Sequence, residues 1–138
     1  MADTLAMFFP YVAETAGVVV RVAVSYLADQ SSPTAGRWFW SYHIRIENRR
    51  DEAVQLLARH WIINDARGNV HEVRGAGVVG DTPRIASGDS YDYVSGCPLD
   101  TSWGSMTGHF HMVDEQGSTF DIAIPRFDLI GPADSEHH

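Results

Sequence analysis

The residues whose types and spacing come nearest to chemistry lie between Val73 and Phe110. Gly75, Gly77 and Gly80 form G-x-G-x-x-G, with Arg74 directly before them. In a nucleotide-binding protein such a run turns a strand into a helix, whose first N–H groups face a pyrophosphate. Here Pro83 follows, then the turn Ser87-Gly88-Asp89, then a strand-like Tyr91-Asp92-Tyr93-Val94. The helix that the mechanism needs has no place. Two readings stay open. In one, Arg74, Gly75, Gly77 and Gly80 hold a small anion, such as a pyrophosphate group, on a nest of backbone amides, with Arg74 or Arg59 as counter-charge. In the other, the glycines serve a tight connection between strands, with Gly75 or Gly77 at positive φ.

Three other groups are candidates. His109 and His111 are two apart, so on a strand both rings share a face; with His60 or Asp114 they would suit a divalent transition metal. Two ligands do not make a tetrahedral site, and the same spacing fits the wet side of a strand whose Phe110 and Met112 face inward. Arg59 and Trp61 also share a strand face, with His60 opposite. Exposed, the pair would suit partner binding; buried, Trp61 would anchor a core. Cys97, ahead of Pro98, reads as a small packed hydrophobe rather than a nucleophile, and Ser95 lacks a nucleophile elbow. The scattered carboxylates argue for no acid–base pair.

Composition narrows the function classes. The chain has 138 residues, enough for one domain with a sizeable core, and is 44% hydrophobic. Its net charge of −8 argues against nucleic acid or an anionic membrane as the main partner. All ten cationic side chains are arginines. One cysteine permits neither an internal disulfide nor a cysteine-based zinc site, which fits a reducing cytoplasm. Leu5-Ala6-Met7-Phe8-Phe9 is too short to span a bilayer and is cut by Pro10, so no membrane insertion is expected; the start lacks the basic region of a secretory signal.

The elements that must position these residues read as strands between turns. Val20, Val22, Val24 and Tyr26 alternate, as do Trp38, Trp40, Tyr42, Ile44 and Ile46 over the next long run. Val54 to Asn64, Val70 to Arg74, Ser90 to Val94, Ser105 to Val113 and Thr119 to Ile124 continue the series, with hairpin turns at Asn64 to Asn69 and at Gln116-Gly117. This spacing predicts an all-β sandwich of about seven or more antiparallel strands. Residues 1–16 carry no strand pattern and are expected to be flexible, or docked on a neighbour through Phe8, Phe9 and Tyr11. The domain is expected over 17–132, with 133–138 as a flexible tail.

Several runs resemble the ApaG family: Val54 to Trp61, Gly75 to Gly80 with Pro83, Ser95 to Leu99, Trp103 to Gly108 and Ile124 to Phe127. Together they cover the chain from about Val18 to about Pro132. The resemblance implies a fibronectin type III/immunoglobulin-like β-sandwich, found alone in bacteria and as a domain of eukaryotic F-box proteins. It also implies an association with cobalt and magnesium resistance. Residues and resemblance together predict a cytoplasmic, non-enzymatic binding or adaptor module with no cofactor, acting through an unknown protein partner. Since no segment can span a bilayer, a link to cation efflux would be indirect. The alternatives are a phosphate- or dinucleotide-binding protein or enzyme using the glycine segment, and a direct metal-binding protein.

Overall fold

Alternation with a period of two, interrupted by turn residues, builds two sheets and leaves no long helix. The computed structural model describes residues 4–132. The first sheet contains β1 (Tyr11–Thr15), β2 (Val18–Tyr26), β3 (Trp38–Asn48) and β7 (Ser90–Leu99), in the order β1-β2-β3-β7. The second contains β4 (Val54–Asp65), β5 (Val70–Ala76), β8 (Trp103–Asp114) and β9 (Thr119–Ile130), in the order β5-β4-β8-β9. A two-residue strand, β6 (Arg84–Ile85), pairs with the start of β4. Every strand pairing is antiparallel. The chain is therefore a β-sandwich, as its alternation predicts.

The inner faces meet where the alternation puts them. Trp40, Tyr42, Ile44 and Ile46 of β3 are buried, as are Val20 and Val22 of β2 and Phe110, Met112 and Ile122 of the facing sheet. Val24 and Phe120 are partly buried against them. Trp61 stacks edge-on to Tyr42 at 5.3 Å and to Phe127 at 5.9 Å, which ties the two sheets together at their centre.

Two hairpins share one turn chemistry. Asp65 accepts the N–H groups of Arg67 and Asn69 at 2.9 and 3.0 Å, and Asp114 those of Gln116 and Ser118 at the same distances. In each, a glycine three residues after the aspartate takes the left-handed conformation, Gly68 at φ 85° and Gly117 at φ 80°.

Three expectations need correction. Residues 11–15 are not a patternless segment: they form β1, which pairs with β2, and Phe9 is buried against the chain's own His43 at 4.9 Å. A five-residue strand is too short to reveal itself by alternation, and its stabilisation comes from a distant neighbour. Second, β7 continues through Pro98 and β9 through Pro125. Both are edge strands, where a proline without N–H costs little, and Pro125 sits at the register shift between Met106 and Gly108. Third, β6 had no sequence signal. Residues 1–3 and the tail 133–138 lie outside the described residues.

The sandwich has two unlike flanks. On one, β9 meets β1: the Ala123 N–H donates to Thr15 Oγ1 at 3.1 Å, and the Asp128 N–H to the Tyr11 hydroxyl at 3.4 Å. On the other, the edge strands β5 and β7 are not paired with each other, and a groove of about 660 Å³ opens between them.

Candidate functional site

The groove takes its walls from four strands. Trp61 and Ile63 of β4, Val73 of β5 and Met106 of β8 supply apolar surface, and β7 contributes Ser95, Cys97 and Leu99 opposite them. These residues line one cavity because inward positions recur every second residue and β5 and β7 are both edges. Trp61 itself is 3% exposed, so it is a core residue that shows only an edge to the groove and not a protruding anchor for a partner.

Arg59 enters the same space. A register shift between Leu56 and Ala58 puts Arg59 on the face of Trp61, opposite Gly75 of β5. Its Nη1 donates to the Ala76 carbonyl at 3.0 Å and to the Gly77 carbonyl at 2.9 Å. No carboxylate pairs with it, and Nε and Nη2 have no acceptor among the described residues. Gly75 makes this pose possible: a Cβ there would lie 2.8 Å from Arg59 Nη1 and 3.0 Å from its Cζ.

The glycine segment therefore works in the opposite sense to an anion cradle. It offers carbonyls to a cation, and the amides of Gly77, Val78 and Asp81 are spent elsewhere. The Gly77 N–H donates to Leu57, while Val78 and Asp81 exchange backbone bonds across a two-residue turn. Gly77 (φ 61°) and Gly80 (φ 78°) are left-handed, and a Cβ on Gly77 would collide with the Asp81 carbonyl oxygen. Arg74 is exposed, with Nη2 3.5 Å from Glu72. Of Arg74, Gly75, Gly77 and Gly80, Gly75 and Gly77 touch the arginine that faces the groove, Gly77 through its carbonyl.

Hydroxyls and charge complete the floor. Tyr42 and Ser95 stand opposite each other on paired strands, and burial pushes the Tyr42 phenol up. Tyr93 lies outside the groove lining; it is 8% exposed, its hydroxyl has no hydrogen-bond partner among the described residues, and burial holds it protonated far above the ordinary phenol range. The Arg59 charge acts on both phenols in the opposite direction. Burial raises the Cys97 thiol to about 11, so it is a protonated, inert wall at neutral pH. Arg37 and His71 stand at the rim with a single carboxylate, Asp100, which is 3.3 Å from Arg67. An acidic chain thus keeps a cationic groove.

The histidines gather elsewhere, on the outer face of the second sheet. His60 lies across from His109, with ring centroids 4.9 Å apart. His60 Nε2 is 2.8 Å from Glu72 Oε1, His111 Nδ1 is 2.7 Å from Asp121 Oδ1, and His109 Nε2 is 3.7 Å from Asp121 Oδ2. Asp114 is not among them; it caps its hairpin and lies 3.7 Å from Arg50. Among the described residues, no three of His, Cys, Asp or Glu are placed to hold a metal ion.

Sequence reasoning missed the groove and Arg37. Ser95 sits at an inward position of an alternating strand, and a hydroxyl at such a position is the one signal that pointed there.

The comparisons with known proteins agree with one another. Residues 28–114 match the model of the ApaG domain, DUF525. A Protein ApaG of Mesorhizobium japonicum is 54% identical over 86% of this chain and 92% of its own. One from Paramagnetospirillum magneticum is 51% identical over 88% and 94%. A crystal structure of an ApaA protein from Bordetella pertussis superposes with a TM-score of 0.81 at 42% identity, covering 83% of this chain and 94% of that one.

Proposed function

The chain belongs to the ApaG family, and we propose that it works as a small non-catalytic binding module, engaging an extended segment of a protein partner at the groove between β5 and β7. The observation that carries this reading is the groove itself, an apolar slot bounded by two unpaired sheet edges. A free edge offers a row of backbone donors and acceptors, and a slot beside it accepts alternate side chains of an added strand. Val73, 40% exposed on the edge strand β5, leaves apolar surface for such a segment.

The site's chemistry supports binding over turnover. The one thiol is held protonated, Ser95 stands opposite Tyr42 rather than a histidine, and Gly77, Val78 and Asp81 spend their amides on the fold. A role in divalent-cation homeostasis would then run through the partner, in the cytoplasm. Among the described residues no helix is long and apolar enough to cross a membrane.

Capture from the host organism tests the groove. Wild type, Val73→Asp and, as a control far from the groove, Thr119→Asp are compared. A partner held by wild type and the control and lost by Val73→Asp is the expected result. Equal capture by all three, or by none, takes the reading down. Saturable hydrolysis of a dinucleoside polyphosphate by the purified chain would favour an enzyme instead.

A further inference from the structure

We infer that the groove is built to receive a carboxylate side chain, and that Arg59 is the residue that holds it. This rests on the groove being the docking site, and it names the chemistry that the site selects.

The argument starts from what Arg59 lacks. A guanidinium has five N–H donors and cannot be neutralised in a protein. The other inward-drawn arginine, Arg21, is matched by the Glu47 carboxylate at 3.1 Å. Arg59 has two carbonyls on Nη1 and no carboxylate. Those carbonyls fix the orientation of the plane but neutralise nothing. Nε and Nη2 remain, and that pair forms the fork that a planar carboxylate meets with two parallel hydrogen bonds.

A second observation points the same way: Tyr42 and Ser95 line the same groove as Arg59, and hydroxyl donors near a guanidinium fork suit an acceptor-only group. Apolar walls of Trp61, Ile63, Val73 and Met106 exclude water from that pairing and strengthen it. With Arg37 at the rim and Arg59 inside against the single lining carboxylate of Asp100, the field draws an acidic residue inward despite the negative charge of the whole chain. One guanidinium with no cluster of free amides suits a carboxylate better than a phosphate. Because the edges run alongside, the carboxylate belongs to a side chain of an added strand, and glutamate has the longer reach.

Two capped peptides test this, acetyl-Thr-Val-Glu-Val-Thr-amide and its twin with glutamine at the centre, titrated into labelled protein while backbone amide shifts are followed. The expected result is saturable shifts at Gly75, Ser95 and Cys97, with the glutamate peptide bound at least about 10-fold more tightly, the worth of one charge-assisted pairing. In Arg59→Met that ratio should collapse to about 1, while the shifts of sites remote from the groove report whether the variant is folded. Equal binding of the two peptides by wild type, or a ratio that survives in Arg59→Met, overturns the carboxylate inference and leaves the groove standing. Shifts from neither peptide at millimolar concentration overturn both. Tighter binding of the glutamine peptide when its C-terminus is left free would assign the site to a chain terminus and overturn the side-chain assignment.

Discussion

The two flanks of this sandwich treat their edges differently. Where β9 meets β1, side chains of Tyr11 and Thr15 accept backbone N–H groups of β9, and the ring of Tyr11 lies 6.0 Å from Phe127. The outer face of β3 beside that flank is equally closed. Phe9 covers His43, and Glu47 gathers Arg21, Arg45 and Arg49 at 3.1, 3.0 and 3.4 Å. Where β5 faces β7, no strand pairing joins the edges, and among the described residues the inward arginine has no carboxylate partner. The same physical problem, a guanidinium drawn off the surface, is solved internally on one flank and left for a ligand on the other. The lesson is that an incomplete solution is the better marker of function: a satisfied ion pair explains the fold, whereas an unsatisfied one asks what completes it.

Breaking the closed side should cost most. Arg21 is 2% exposed, so Glu47→Gln takes a carboxylate 3.1 Å away from a nearly buried guanidinium and should cost about 3 kcal/mol in denaturant unfolding. The same residue sets an acid limit. Burial works to raise the Glu47 pKa, but the hydrogen bonds and charges of Arg21 and Arg45 together outweigh it and hold the carboxyl below its ordinary 4.5. Its contribution is therefore complete above about 4.5 and is lost as pH falls through the lower folded value. Denaturant midpoints measured from pH 6 downward, about one unit at a time, should fall in wild type and flatten in Glu47→Gln. A parallel decline in both would remove Glu47 from the explanation.

Phe9→Ala comes next. It deletes the ring that seals the outer face of the first sheet, and its transfer term is about 2–3 kcal/mol. A thermal midpoint unchanged from wild type would restore the view that this segment is a loose appendage.

The glycines then sharpen the open side. Gly77→Ala forces a Cβ onto the Asp81 carbonyl at a left-handed position and should destabilise by about 2 kcal/mol. Gly75→Ala meets only the movable end of Arg59 and should cost about 1 kcal/mol, roughly one hydrogen bond, while displacing the guanidinium. Equal losses at the two positions would mean that Gly75 serves the backbone rather than Arg59.

Val79 gives the smallest effect and the opposite sign. It is a β-branched residue at φ 49°, 65% exposed, at the first centre of the turn between Val78 and Asp81. Val79→Gly relieves that strain and should stabilise by up to about 1 kcal/mol, read as a higher thermal midpoint. A loss of stability would show that the valine makes a contact worth more than its strain.

Alternation in β3 and β8, the Asp-x-x-Gly turns at Asp65 and Asp114 and the lone cysteine were open to reading from residue order, because each depends on neighbours two to four positions away. From these came the sandwich, its inner face and the outward histidines. The ApaG runs came the same way, as a linear order of residues. The strand β1, the continuation through Pro98 and Pro125, and the groove were not legible. They depend on which strands become edges and on which distant segment lies opposite, and period-two patterning is silent on both. Arg59 shows the difference most plainly. Its position on the face of Trp61 follows from local spacing, but its meaning required β5 to bring Gly75 opposite it and β7 to bring Ser95 into the same groove. Only the tertiary pairing decided that this arginine turns inward, finds carbonyls and no carboxylate, and stands open to a groove.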